Sequence, residues 1–349
     1  MTEKPIALNG ERISGAGGLK ILVRSWRPEY QPRAVVAVCP GVYSHSGYYL
    51  WAAGELVASG VAVYAVDLHG HGESDGERFY SENIQDYVTD VDALVTLAKS
   101  REPGLPVFLF GHGVGGVISC IYALGHQEKL AGLICESFAF QVVASDLALS
   151  TAKGLARIAP HAPMLQLKSE DFSRDPIVVR AMKADRRLDK EIQPLRLVSE
   201  LVRATERLRA EFPLVTLPLL ILHGTADKVT RPAGSRFFHE TAGSTDKTLR
   251  LYDGHVHDLL NDYDREDVMT DIKQWIRARL PAVRASARGQ LPDLDHAAIH
   301  KRDGDAIPLG VDGDVGRGAA RLDDRASAAA AEEMQTGVPL TRRQHEVAR

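Results

Sequence analysis

The stretch Leu109-Phe110-Gly111-His112-Gly113-Val114-Gly115-Gly116 leaves an apolar strand and enters an apolar helix. Its layout is that of the strand–turn–helix elbow G-x-S-x-G, which lifts a serine hydroxyl out of a sharp turn. The central residue here is Gly113. Glycine has no side chain, so this position offers nothing that can attack a carbonyl. Acyl transfer also needs a base, an acid that orients the base, and N–H donors for the oxyanion. In this layout the acid follows the elbow and the histidine comes last. Asp227 lies in Ile221-Leu222-His223-Gly224-Thr225-Ala226-Asp227-Lys228, in a turn after a buried strand. His257 lies in Leu251-Tyr252-Asp253-Gly254-His255-Val256-His257-Asp258, again just past a strand. His257 is the candidate base, and on sequence alone His255 stands as the alternative.

Val114, directly after the elbow's centre, supplies one candidate oxyanion N–H. The loop Cys39-Pro40-Gly41-Val42-Tyr43 supplies the second, with the N–H of Val42 as candidate. Gly41 permits the close backbone approach such a loop needs. A simple turn at Pro40-Gly41 is the plainer reading, but the order along the chain favours the functional one.

These residues need a frame. Short β-branched runs predict strands at 20–26, 34–39, 61–66, 106–110, 131–135, 218–223 and 248–252. Helix-period stretches predict helices at 48–58, 81–100, 114–124, 233–241 and 265–280. Uniformly apolar strands alternating with helices predict a mostly parallel sheet covered on both faces. In such sheets the ligand site lies beyond the carboxyl ends of the strands, where each motif above sits.

Residues 141–211 break the alternation. They are helical in pattern, rich in Leu, Ala, Lys and Arg, and contain no convincing strand. Placed between two core strands, they predict an inserted helical cap. Leu147, Leu149, Leu155, Ile158, Met164 and Leu165 either pack this cap onto the core or line an acyl-chain pocket. The expected division is a core of residues 1–140 and 212–284, a cap of 141–211, and a tail of 285–349. The tail contains no Phe, Trp or Tyr. It is expected to be disordered, with a short helix near 326–334, because it cannot bury enough apolar area to offset its ordering entropy.

The 349 residues carry a net charge of −4, which gives no electrostatic reason to expect nucleic acid binding. The best apolar run, 212–222, is about half the ~20 residues that span a bilayer. The start has no apolar core of a signal peptide. The cysteines Cys39, Cys120 and Cys135 are scattered and make no disulfide framework. A reducing cytoplasm is the expected compartment.

Several further segments fit one family: Gly41-Val42-Tyr43-Ser44-His45-Ser46-Gly47-Tyr48-Tyr49, Asp67-Leu68-His69-Gly70-His71-Gly72-Glu73-Ser74-Asp75-Gly76, Pro103-Gly104-Leu105-Pro106-Val107-Phe108-Leu109-Phe110-Gly111-His112, His223-Gly224-Thr225-Ala226-Asp227 and Lys247-Thr248-Leu249-Arg250-Leu251-Tyr252. With these, the chain resembles the monoacylglycerol lipase and lysophospholipase group of α/β-hydrolases from about residue 20 to residue 280. The resemblance implies an α/β-hydrolase fold with a helical cap over an apolar pocket. It implies esterase or lipase activity on monoglycerides, lysophospholipids or small esters, without a cofactor. It points to Asp227 and His257 as acid and base, with Gly41 and His112 on the substrate side. The sequence departs from the pattern twice. The family's nucleophilic serine aligns with Gly113, and the histidine that precedes the oxyanion-loop glycine aligns with Pro40. The second change is mild, because the donor is backbone. Losing a triad serine costs about 10⁶-fold in turnover.

The leading expectation is therefore a serine hydrolase scaffold with its ester chemistry disabled, still able to bind an ester or acyl ligand. A second route lets His257 activate water in the space left at Gly113; general-base help alone is worth about 10²–10⁴-fold. Cys39, Ser44, Ser46 and Cys120 are poorly placed as replacement nucleophiles. A metal hydrolase would draw on the pairs His69/His71 and His255/His257, but no third ligand has a matching spacing. A pure interaction protein would use the cap or the tail.

Overall fold

The computed structural model describes residues 7–143 and 146–281. The expectations for the tail, 285–349, lie outside the described residues, as do the side chains of Leu147 and Leu149.

Eight strands form one sheet in the order β1-β2-β4-β3-β5-β6-β9-β10. They are β1 (Ala7–Ser14), β2 (Lys20–Arg27), β3 (Ala34–Cys39), β4 (Val61–Val66), β5 (Val107–His112), β6 (Gly132–Glu136), β9 (Leu219–Gly224) and β10 (Lys247–Tyr252). The pairs β1/β2 and β2/β4 are antiparallel, and all others are parallel. Each predicted strand is present to within two residues.

The reason lies in the period of two along each strand. Val35, Ala37, Leu109, Leu219 and Ile221 face one layer, where α2 (Ile84–Arg101) and α3 (Val114–His126) pack. Ala34, Val36, Val38, Phe108, Phe110, Leu220 and Leu222 face the other, covered by α1 (Leu50–Ala58) and α8 (Arg265–Ala278). Strands buried on both faces must be apolar at every position, as Ala34–Cys39 and Val61–Val66 are. The remaining predicted helix, α7 (Pro232–Thr241), follows β9.

Strand β1 escapes sequence reading. Ala-Leu-Asn-Gly-Glu-Arg-Ile-Ser carries Gly10 and charges at the sheet's edge, where strands are polar and interrupted.

Between β6 and β9 the chain runs through α4 (Asp146–Leu155), β7 (Pro163–Leu165), α5 (Pro176–Ala184), β8 (Gln193–Pro194) and α6 (Leu195–Glu211). The absence of strands expected here is corrected by the antiparallel ribbon β7/β8. A ladder of two or three residues, bounded by Pro163 and Pro194, is too short to leave an alternating pattern. Helix α6 faces two ways. Leu195 and Val198 pack on Ala152 and Ala156, whereas Leu197, Leu201, Ala204 and Leu208 join the sheet's core.

Candidate active site

Strand β5 ends at His112 and α3 begins at Val114, so Gly113 makes the whole turn, at φ 54° and ψ −118°. Its N–H donates to the Glu136 carbonyl at 2.9 Å, and its carbonyl accepts from the Ala139 N–H at 3.1 Å. The turn is thereby tied to the end of β6. The start of α3 lies against the end of β3: a Cβ on Gly115 would stand 2.3 Å from the carbonyl oxygens of Cys39 and Pro40. Only glycine allows that approach, and it brings Val114 beside the Gly41-Val42 loop.

His257, from the loop after β10, points at the elbow. A Cβ built on Gly113 would lie 3.2 Å from His257 Nε2. The opposite ring nitrogen, Nδ1, pairs with Asp227 Oδ2 at 2.8 Å. Asp227 is held in turn by the N–H groups of Val229 (2.7 Å) and Thr230 (2.9 Å), by the Thr230 hydroxyl (2.6 Å), and by His223 Nε2 (3.1 Å). Burial works against the Asp227 charge, yet His257 and His223 outweigh it and hold its carboxyl far below the usual range. Burial lowers the pKa of His257, and the favourable charge of Asp227 only partly offsets this. The imidazole is therefore neutral near pH 7, oriented by a carboxylate, with Nε2 turned to the elbow. That is the state a general base requires.

His255 is directed elsewhere. Its Nδ1 lies 4.0 Å from Asp262, and its ring packs near Tyr252. Of the two histidines left open by the sequence, His257 is the one at the elbow.

A cavity opens over this point. Gly41, Val42, Gly113, Val114 and His257 converge at one end. Leu165, Leu167, Phe172, Leu197, Val198 and Leu201 make an apolar wall, with Gln193 and Thr230 as its polar members. Among the described residues, neither the Val42 nor the Val114 N–H has a hydrogen-bond acceptor. Of the apolar cap residues singled out in sequence, Leu165 lines the cavity and Met164 packs on the α4–α6 contact. Leu155 and Ile158 are exposed, at 49% and 82%.

His112 does not line the cavity. It is buried behind Gly41, with its Nδ1 3.2 Å from Glu136 Oε2 and its ring 4.7 Å from that of His257. Burial opposes its charge, but Glu136 outweighs it and pushes the pKa up to about 9. Asp258 completes a buried group with His112 and Glu136, and burial raises its pKa to about 6. This cluster is the grouping among the described residues with metal-like spacing, and it contains no histidine of either H-x-H pair. His69 is bound to Asp90 at 2.6 Å and His71 to the His69 carbonyl at 3.1 Å.

Among the described residues no serine or cysteine lines the cavity. Cys39 and Cys120 are buried, and burial raises both thiol pKa values. Ser46 is held by Asp67, and Ser44 is buried.

Four neighbours of the site were not legible beforehand. Phe172 meets the His257 ring edge-on at 4.9 Å. His223 braces Asp227, and its position four residues before the acid was the available signal. Gln193 and Glu191, from the segment around β8, left no signal. Glu191 accepts from the Tyr43 N–H and from the Gln193 side chain, both at 2.7 Å, and burial pushes its pKa up to about 7. It thereby anchors the loop that carries Val42.

A family profile described as "Serine aminopeptidase, S33" (Hydrolase_4) matches residues 30–264. The monoacylglycerol lipase of Mycolicibacterium smegmatis is 32% identical over 270 residues, covering 77% of this chain and 96% of that protein. The monoglyceride lipase of Homo sapiens is 31% identical over 272 residues, covering 76% and 90%. The chain belongs to the monoacylglycerol lipase-like α/β-hydrolase family. The crystal structure of Paleococcus ferrophilus monoacylglycerol lipase superimposes with a TM-score of 0.65 at 28% identity, covering 78% of this chain and all (100%) of that one. A soluble variant of the Saccharomyces cerevisiae monoglyceride lipase, in complex with a substrate analog, gives a TM-score of 0.69 at 21% identity, covering 80% and 96%. The α/β-hydrolase fold and the lipase-like serine hydrolase scaffold follow from these matches. Among the described residues no helix is long and apolar enough to cross a membrane.

Proposed function

We propose that this chain is a lipid-ester hydrolase scaffold whose nucleophile position is occupied by Gly113, so that it binds an acyl lipid ester but turns it over barely or not at all. The observation that carries this reading is the direction of His257. Its Nε2 faces the elbow at 3.2 Å from a Cβ on Gly113, while its Nδ1 is held by Asp227. A base poised over a glycine is an acyl-transfer site that lacks one atom group. Asp227 is the orienting acid, and the N–H groups of Val42 and Val114 are the oxyanion donors. Residues 141–211 act as the cap, whose Leu165, Leu167, Leu197 and Leu201 receive the acyl chain. The monoacylglycerol lipase relatives support a monoglyceride or a similar small lipid ester as ligand. Gln193, held by the buried Glu191, offers a polar contact for its headgroup.

The space at Gly113 favours a second route, in which water sits beside His257 Nε2 and attacks the ester directly. General-base help of about 10²–10⁴-fold is far below what a covalent nucleophile supplies, so this activity would be slow.

A fluorophosphonate probe tests the main reading, because it labels only an activated serine. Gly113→Ser is expected to be labelled, and the unaltered chain is not. Labelling of the unaltered chain would reveal another nucleophile, and a silent Gly113→Ser would show that the surrounding site is not an esterase site.

A further inference from the structure

The same end of the cavity presents two N–H donors and, beside them, a ring nitrogen that becomes a third donor only when it is protonated. Val42 and Val114 offer N–H groups with no acceptor among the described residues. Val114 is also the first residue of the 13-residue helix α3, whose N-terminus favours negative charge. Beside them, Gly113 leaves open the volume in front of His257 Nε2. A serine would place its own oxygen there. Without it, the site has room for a second ligand oxygen at the nitrogen that can donate once protonated.

In this arrangement an ester satisfies the two N–H groups through its carbonyl but offers His257 little. It is neutral, and its second oxygen is a weak acceptor that carries a substituent. A carboxylate fits it: two equivalent oxygens, one negative charge, and one apolar chain leaving toward Leu165, Leu167 and Leu201. Hydrogen bonds to an ionised acceptor are shorter and about twice as strong as neutral ones. We propose that the cavity binds a medium- or long-chain carboxylic acid as its carboxylate, with one oxygen on the Val42 and Val114 N–H groups and the other in the space beside His257, which is protonated in the complex. This rests on the reading above that Gly113 stands at the nucleophile position and that Val42 and Val114 are the oxyanion donors.

The proton balance sets the pH dependence. Free His257 is neutral near pH 7 because burial lowers its pKa, so binding takes one proton from solvent. Affinity therefore rises as pH falls from 8 toward 6, where a carboxylic acid with a pKa of about 4–5 is still ionised. The titratable groups facing His257 are Asp227 and His223 from the β9 side and His112 from β5. Glu136 and Asp258 stand behind His112. The His112 cation opposes protonation of His257 but attracts the carboxylate, and Asp227 favours the protonated ring.

Calorimetric titration of the full chain with octanoate, methyl octanoate and octanol, at pH 6 and pH 7.5 in buffers of different ionisation enthalpy, tests this. Octanoate is expected to bind roughly tenfold or more tightly than the ester and the alcohol. At pH 7.5 it is expected to take up about one proton for each molecule bound. His257→Gln should abolish the proton uptake, and Gly113→Ser should weaken octanoate several-fold while conferring hydrolysis of methyl octanoate. Equal affinity for acid and ester, or binding without proton uptake, overturns the carboxylate arrangement and leaves the ester-binding reading intact. If none of the three binds while Gly113→Ser hydrolyses the ester, this proposal falls and the scaffold reading survives. If Gly113→Ser neither binds nor hydrolyses the ester, the scaffold reading falls with it.

Discussion

His257 Nε2 stands 3.2 Å from the point where a Cβ on Gly113 would lie. That contact is tight, and the backbone at Gly113, at φ 54° and ψ −118°, is one that side chains other than glycine's adopt only under strain. Gly113→Ser is therefore expected to cost about 1 kcal/mol even as it completes the site. For a chain of this size that is a fall of roughly 1–2 °C in Tm. Thermal unfolding of both proteins checks it, and a clear rise in Tm for the serine variant would contradict the strain argument.

The buried His112 cation beside His257 should depress the base further. His112→Gln keeps a polar group near Glu136 but removes the like charge. The pKa of His257 should then rise, as expected for loss of a close like charge. An NMR titration of the His257 ring proton reads the value directly. No change, or a fall, would show that burial and Asp227 alone set it.

Glu191 gives a pH dependence of defined sign. Its folded pKa is raised by burial, from an ordinary 4.5 to about 7. The folded state therefore binds more protons than the unfolded state between those values, and stability is lost as pH rises through that window. Glu191→Gln keeps an acceptor for the Tyr43 N–H and cannot ionise. It should match the parent near pH 4 and exceed it at pH 8 by about 1–3 kcal/mol, since one unit corresponds to ~1.4 kcal/mol. Urea unfolding at the two pH values is the measurement. An equal or lower stability at pH 8 would show that Glu191 is ionised at no cost.

The apolar wall should select by chain length. In the Gly113→Ser background, Leu167→Trp fills part of the acyl channel. Hydrolysis of a long acyl ester should fall about tenfold or more relative to a butyryl ester, as each methylene lost from an apolar pocket is worth about 1 kcal/mol or more. An equal loss for both esters would place Leu167 outside the acyl path.

The central sheet was legible because its middle strands are runs of mostly apolar residues and the helices that flank it carry an apolar stripe. Val61–Val66 and Arg265–Ala278 are examples. The Asp227–His257 pair was legible because each residue follows a strand, β9 and β10, in a fixed order. What escaped the sequence is what non-local contacts decide. His255 and His257 differ in which one the loop turns inward. Leu155 and Ile158 have the residue types of a pocket wall but point to solvent. Glu191 reaches Tyr43 across 148 positions of chain, and no local pattern encodes that pairing. The ribbon β7/β8 and the edge strand β1 were too short or too polar to show a period.

The most direct measurement is hydrolysis of a short chromogenic ester by three proteins: the chain itself, Gly113→Ser, and Gly113→Ser combined with His257→Ala. The account predicts that the chain is inert or nearly so, that serine raises turnover by several orders of magnitude, and that removing His257 abolishes the gain. Turnover by the unaltered chain at a rate comparable to the serine variant, dependent on His257, would contradict it and make Gly113 part of a working site.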